Sequence, residues 1–221
     1  MAERHTDRDF AGDLADLSDR VLLMGARVEK ATELALEAIQ TRSSESARQI
    51  IAEDEQVDRL EIEVEQLCLK ILALRHPVAS DLRFVTAALR LVTDLGRIGN
   101  LCVNIAGVVL EMRSEPRQEL PPAIQSMGDA VRGMLRDALD AFVDRDAAKA
   151  GQIGARDRRV DASYAALLSE VFEQVSTDRD RKVGAARLQA LGKYLERIGD
   201  HATNVADMVI FMVEGRRDRH R

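Results

Sequence analysis

Apolar side chains recur every three or four residues along most of the chain, which is the spacing of amphipathic helices. The first run extends from Phe10 to Ala38, and a polar stretch at residues 41–46 follows it. The second run extends from Val57 to Leu74. It stops ahead of His76-Pro77, since the residue before a proline disfavours the helical backbone. We therefore predict two long helices that each bury one apolar face.

A third apolar run extends from Phe84 to Met112. Ser80 and Asp81 precede it, and both are residue types that cap helix N termini. Residues 113–122 then hold three of the four prolines, which makes this segment the best candidate for a domain boundary. The first half of the chain is thus expected to contain three helices.

The same apolar pattern starts again after the prolines. Apolar positions in 21–38 are matched at an offset of 103 residues by positions in 124–141, and those of the third helix are matched at an offset of 100 by positions in 188–212. We therefore predict an all-α protein of two tandem three-helix bundles, with six long antiparallel helices and an internal pseudo-twofold repeat. The predicted domains are residues 1–115 and 116–221.

Two short polar motifs also occur once in each half. The segment DEQVD at 54–58 is matched by DRRVD at 157–161, and LGRIGN at 95–100 is matched by LERIGD at 195–200. Residues four apart lie on one face of a helix. Each motif can therefore point two polar side chains in the same direction.

In the second half these motifs supply four carboxylates, those of Asp157, Asp161, Glu196 and Asp200. If the fifth and sixth helices are antiparallel neighbours, the four groups converge. They would repel one another by about 1 kcal/mol per pair at about 4 Å even in bulk water. A hard or borderline cation would relieve this repulsion, so the pattern predicts a metal site.

The first half is not equivalent. It keeps Asp54 and Asp58, but Gly96 and Asn100 stand where the second half has acids. Gly96 offers no ligand and Asn100 offers only a neutral carbonyl. The first site is therefore expected to be weaker, differently built or empty.

A second interpretation of the acidic motifs is a solvated helix face. Asp54 and Asp58 continue into an acidic stripe with Glu61 and Glu65, and nearby arginines can form surface ion pairs worth about 0–1 kcal/mol each. The recurrence of the spacing in both halves favours metal binding. Three further residues keep two interpretations each. His201 is either a ligand or a packing or surface histidine. Asn104 and Asn204 either support a metal site or form inter-helix hydrogen bonds.

Charge, cysteine content and apolar run lengths argue against several classes of protein. A net charge of −6 argues against a general nucleic-acid binder. Cys68 and Cys102 have no CxxC spacing, which is typical of buried free thiols in a reducing compartment. The N terminus lacks the apolar segment of a secretory signal, and the longest weakly polar run, 98–112, is shorter than the roughly 20 residues of a membrane span. We expect a soluble, cytoplasmic protein without membrane insertion.

The segment LERIGDHATN at 195–204, the PVASDLR turn at 77–83 and the ending VIFM at 209–212 resemble the PhoU family of bacterial phosphate-transport regulators. The resemblance covers roughly residues 10–215. It implies two tandem three-helix bundles, often dimeric, each with a multinuclear metal cluster, typically of iron or zinc. Carried over by position, the ligands of the two clusters are Asp157, Asp161, Glu196 and Asp200 in the second and Asp54, Asp58 and Asn100 in the first.

The resemblance also implies a function. PhoU-like proteins act as negative regulators that link the phosphate ABC transporter, through its ATPase subunit, to a membrane sensor histidine kinase. We therefore expect a non-catalytic scaffold that forms a homodimer. Two alternatives are a metal-dependent hydrolase or oxidase and a metal-free helical adaptor. The enzyme alternative is disfavoured because the chain has neither a phosphate-binding GxxxxGK[ST] motif nor the Glu-x-x-His motif of di-iron bundles.

Overall fold

Helices account for all regular secondary structure in the part of the chain that the structure describes. The computed structural model describes the backbone of residues 2–114, 119–174 and 179–216, and the side chains of 9–113, 119–173 and 182–216. The first half contains α1 (Ala2–Thr41), α2 (Ser44–Arg75), α3 (Ala79–Glu111) and a short 3-10 turn (Met112–Ser114). The second half contains α4 (Pro122–Asp144), α5 (Ala147–Gly151), α6 (Ile153–Gln174) and α7 (Arg179–Glu214).

The helices form the two predicted three-helix bundles. In the first half α1, α2 and α3 pack against one another, and in the second half α4 and α6 pack against α7. One detail differs from the expectation of six continuous helices, because the fifth is divided into the short α5 and the longer α6 at Gln152. Gly151 and Gly154 flank the break, and glycine weakens a helix by about 1 kcal/mol relative to alanine.

The predicted apolar faces form the core. Leu91, Leu95 and Ile98 are fully buried in it, as are Leu191, Leu195 and Ile198 at the equivalent positions of the second half. Leu17 is also fully buried, whereas its equivalent Leu120 is partly buried. Leu74 is an exception, since it was predicted in the apolar face of α2 and is 66% exposed. A straight helix turns away from a 3.5-residue repeat by about 20° per heptad, or roughly 50° between Val57 and Leu74. The end of the apolar row has therefore turned towards solvent.

The two bundles are joined where α3 packs along α7 and α1 packs against α4. Two equivalent contacts show the pseudo-twofold relation. A Cβ built on Gly25 would lie 2.7 Å from Leu139 Cδ2, and a Cβ built on Gly128 would lie 2.5 Å from Leu36 Cδ2. Both the two glycines and the two leucines are 103 residues apart in sequence. The internal repeat therefore includes the residues that form the contact between the two halves.

The observed helix ends agree less well with the ends that the sequence predicts. Ser43 caps α2, since its side chain accepts a hydrogen bond from the backbone N–H of Ser46 at 3.1 Å. The predicted cap of α3 by Ser80 or Asp81 was wrong, because the N-cap residue is Val78 and no side chain caps this helix. Residues 115–118, where the domain division falls, lie outside the described part, so the division stays a prediction. No described helix combines the length and apolar character needed to cross a membrane.

Candidate metal centre

Three carboxylates converge between α6 and α7. Asp157 and Asp161 lie one turn apart on α6, and Asp200 lies on α7, which packs against α6. Each residue contributes one oxygen, and the three oxygens all lie within 4.8 Å of one another. This group is the one place among the described residues where three potential ligands come so close. Three of the four acids predicted for the second site are thus brought together.

The deepest of these groups is Asp157. Its Oδ1 is buried and has no hydrogen-bond partner among the described residues. The carboxyl lies against Gly199, where a Cβ would be 3.0 Å from the same oxygen. A buried polar atom without a partner is costly, by about 1–3 kcal/mol. The absence of a side chain at Gly199 therefore makes room for an acid whose oxygen still needs a positive or hydrogen-bonding partner.

The electrostatics of the three acids are unfavourable without a cation. Burial, followed by repulsion from Asp161 and Asp200, raises the pKa of Asp157 from 3.8 to about 6. The nearby Thr203 hydroxyl acts in the opposite direction on this pKa, although its geometry falls short of a hydrogen bond. Burial, followed by repulsion from Glu196 and Asp161, raises the pKa of Asp200. These shifts show that full ionisation of the cluster costs free energy.

Glu196, the fourth predicted ligand, is paired differently. The ammonium of Lys193 lies 2.7 and 2.6 Å from its two carboxylate oxygens. The same ammonium stands 5.5 Å from the centre of the Tyr164 ring. Lys193 precedes Glu196 by three residues on one helix face, a spacing that favours such pairs and could have indicated this contact from the sequence. In this conformation Glu196 therefore contributes charge to the cluster but no ligand atom.

In the first half, Asp54 and Asp58 form no comparable cluster with a third carboxylate, histidine or thiol among the described residues. Burial, followed by repulsion from Asp58, raises the pKa of Asp54. The side-chain amide of Asn100 donates a hydrogen bond to the backbone carbonyl of Gly96 at 3.0 Å. This half therefore carries a less assembled arrangement of the same motif.

The position of Glu61 explains why residue 96 is a glycine. A Cβ built on Gly96 would overlap the Glu61 carboxylate. Burial, followed by repulsion from Glu65 and Asp58, raises the pKa of Glu61. In the second half the residue equivalent to Glu61 at an offset of 103 is Tyr164. The first half thus carries its acid on α2, and the second half carries it on α7 as Glu196.

The polar residues that follow Asp200 connect the two bundles. Nδ1 of His201 lies 2.8 Å from Oδ1 of Asp94, and the Asn204 amide donates to the same oxygen at 3.0 Å. Asp94 lies on α3 and the other two lie on α7. Of the two interpretations of Asn204, the structure therefore shows the inter-helix hydrogen bond. His201 directs one ring nitrogen to Asp94.

The donor set defines what this site can bind. Asp157, Asp161 and Asp200 offer oxygen atoms alone, and hard divalent cations prefer such ligands. A cation here would neutralise three crowded carboxylates and provide a partner for the buried Asp157 oxygen. The residues present therefore fit a metal ion.

Comparison with known proteins shows which family this chain resembles in sequence and fold. The family model described as "PhoU domain" matches residues 21–109 and 124–209. A relative from Clostridium acetobutylicum, named phosphate-specific transport system accessory protein PhoU homolog, is 33% identical over 96% of this chain and 97% of its own length. The crystal structure of PhoU from Pseudomonas aeruginosa is similar with a TM-score of 0.90 and 32% identity, over 94% of this chain and 100% of that one. The phosphate transport system regulatory protein PhoU from Streptococcus pneumoniae gives a TM-score of 0.87 and 28% identity, over 95% and 99% of the two chains.

Proposed function

The chain belongs to the PhoU family, and on this premise we propose that it regulates phosphate uptake and phosphate-starvation signalling as a metal-binding scaffold. The names of its relatives describe accessory and regulatory proteins of phosphate transport. The family role is regulatory and not enzymatic. Membership and fold therefore support an accessory protein of a phosphate transport system as the general function.

The metal is the first specific part of the proposal. Asp157, Asp161 and Asp200 are the proposed ligands, and Glu196 joins them when its side chain leaves Lys193. The buried oxygen of Asp157, which has no partner in the described structure, is the observation that carries the proposal. The family resemblance implies iron or zinc, and the oxygen donors also suit manganese.

The first bundle is proposed to hold metal more weakly. Asp54 and Asp58 remain its acidic ligands, with Asn100 as a neutral donor. Glu61 lies beside Gly96 and supplies a carboxylate that the motif itself lacks. Since the carboxylates among these groups are not gathered as closely as those of the second bundle, their affinity for a cation should be lower.

The partners are the second specific part. We propose a cytoplasmic homodimer that contacts the ATPase subunit of a phosphate ABC transporter and a membrane sensor histidine kinase. In this role it represses phosphate-starvation genes when phosphate is plentiful, and it binds no nucleic acid. Phosphate transport in the names of the relatives supports the transporter as a partner.

Deletion of the gene tests the regulatory role. In high phosphate, the deletion strain should secrete phosphatase, and the wild-type gene should restore repression. A gene carrying Asp157→Asn and Asp161→Asn should fail to restore it, while the matched first-bundle variant Asp54→Asn should restore it at least partly. Normal repression in a deletion strain without a second copy of the gene would refute regulation. Full restoration by the double variant would instead favour the metal-free adaptor.

A further inference from the structure

A cavity of about 350 Å³ lies at one end of the molecule, where α1, α3, α4 and α7 meet. Its polar lining includes Arg83, Arg145, Ser80 and Asp81, and its apolar lining includes Phe84 and Met212. Met212 is twelve residues beyond Asp200 on α7, or about 18 Å along a helix. The cavity is therefore separate from the candidate metal centre.

The Cδ and Nε atoms of the Arg83 side chain are fixed by contacts at the cavity. Its Nε donates a long hydrogen bond of 3.4 Å to the backbone carbonyl of Met212. Its Cδ packs beside Gly215, where a Cβ would lie 3.4 Å away. The two terminal nitrogens of Arg83 have no ion pair or hydrogen bond within the described part of the chain. The outer end of this guanidinium is thus available to a ligand.

Arg145 is positioned by an aromatic ring. It ends α4 in the left-handed conformation, and its Cζ lies 5.8 Å from the centre of the Phe84 ring. Phe84 in turn stacks on Phe142 with ring centres 6.1 Å apart. No described carboxylate forms an ion pair with Arg145, including Asp81, the one acid in the lining. Two arginines and one aspartate leave the cavity with a net positive charge.

The duplicated fold does not by itself produce this arrangement. In the other half, Val183 and Gly184 stand at the positions equivalent to Arg83 and Phe84, at an offset of 100. Arg42 is equivalent to Arg145 at an offset of 103, and it likewise ends its helix with a positive φ. Arg42 instead donates to the backbone carbonyl of Met112 at 3.5 Å. The second arginine and the aromatic wall are therefore specific to this end.

We propose that this cavity binds an organic anion, a phosphate or carboxylate group that carries an apolar portion. Arg83 and Arg145 contact the anionic group, since guanidinium groups form strong charge-assisted hydrogen bonds with oxyanions. Phe84 and Met212 contact the apolar portion. The volume lies within the range of about 300–1,000 Å³ for small-molecule sites, and a bare inorganic anion would leave most of it empty. The inference does not depend on metal binding.

Isothermal titration calorimetry with phenyl phosphate tests this proposal. The wild-type protein should show saturable binding, with inorganic phosphate binding more weakly and benzyl alcohol not at all. Arg83→Gln and Arg145→Gln should each weaken phenyl phosphate binding by about tenfold or more, since one charge-assisted hydrogen bond is worth about 1.5–3 kcal/mol. Arg42→Gln is the matched control and should bind like the wild type.

Three results would overturn the proposal. They are the absence of saturable phenyl phosphate binding up to about 10 mM, wild-type affinity in both cavity variants, and equal loss in Arg42→Gln. Inorganic phosphate that binds as tightly as phenyl phosphate would refute the role of the apolar wall. Circular dichroism and the urea midpoint of each variant establish that it is folded, so that a loss of binding reports on the cavity.

Discussion

Replacing Asp157 with asparagine should stabilise the metal-free protein and remove most of its stabilisation by metal. Burial and the neighbouring acids raise the pKa of Asp157 from 3.8 to about 6. At about 1.4 kcal/mol per pKa unit, this difference corresponds to about 3 kcal/mol of cost for the ionised carboxylate. Because the group is only partly buried, solvent screening reduces the expected gain in unfolding free energy to about 1–2 kcal/mol.

The sign of the pH dependence follows from the raised pKa. Between about pH 4 and pH 6 the folded protein binds the Asp157 proton more tightly than the unfolded chain does, so wild-type stability falls as the pH rises through this window. The cost is complete above about pH 6 and absent below about pH 4. The advantage of Asp157→Asn should therefore be largest at neutral pH and should shrink towards zero as the pH approaches 4.

Urea unfolding followed by circular dichroism measures this effect. In chelator at about pH 7.5, Asp157→Asn should unfold at a higher urea concentration than the wild type. With a cation at about 100 times its Kd, the wild type should gain about 2.7 kcal/mol and the variant much less. Asp54→Asn, in the less assembled first motif, is the matched comparison. A variant less stable than the wild type in chelator, or equally stabilised by metal, would refute the reasoning.

Three further predictions concern the surroundings of the site and the core. Gly199→Ala should weaken metal binding measurably by calorimetry, because the added Cβ would lie 3.0 Å from Oδ1 of Asp157 and displace it. Asp94→Ala should lower the unfolding free energy by about 0.5–1.5 kcal/mol in urea titrations, since it removes the acceptor shared by His201 and Asn204. Leu195→Ala should cost about 2–5 kcal/mol in the same assay, because this side chain is fully buried; a cost below about 1 kcal/mol would contradict its place in the core.

Much of the fold could be predicted because long amphipathic helices have apolar residues at every third or fourth position of the sequence. The apolar rows that contain Leu91 and Leu195 are buried as expected, and the polar stretch after Ala38 does end α1. The exposure of Leu74 and the break at Gln152 were not predicted, although the drift of a straight helix from a 3.5-residue repeat and the two glycines beside the break are visible in the sequence. The predicted cap of α3 was wrong, since Val78 takes the N-cap position although its side chain cannot cap.

The acidic residues of the candidate site could be predicted from the sequence, but the side chains that they contact could not. Spacing alone placed Asp157 and Asp161 on one face of a helix, and the recurrence of the motif in both halves favoured them as metal ligands. The spacing of three residues is compatible with a pair between Lys193 and Glu196, but it could not show which of several nearby acids Lys193 contacts, because that choice depends on side-chain conformation. Nor could it show that Glu61 occupies the space left by Gly96, since this contact joins two helices.

Metal analysis by mass spectrometry tests the central claim most directly. Untagged protein purified without chelators should contain iron, zinc or manganese. The Asp157→Asn/Asp200→Asn variant should lose most of this metal, and the matched Asp54→Asn/Asp58→Asn variant should keep most of it. A wild-type protein that contains no metal and binds none on reconstitution, or a second-bundle variant that retains its full content, would contradict the account.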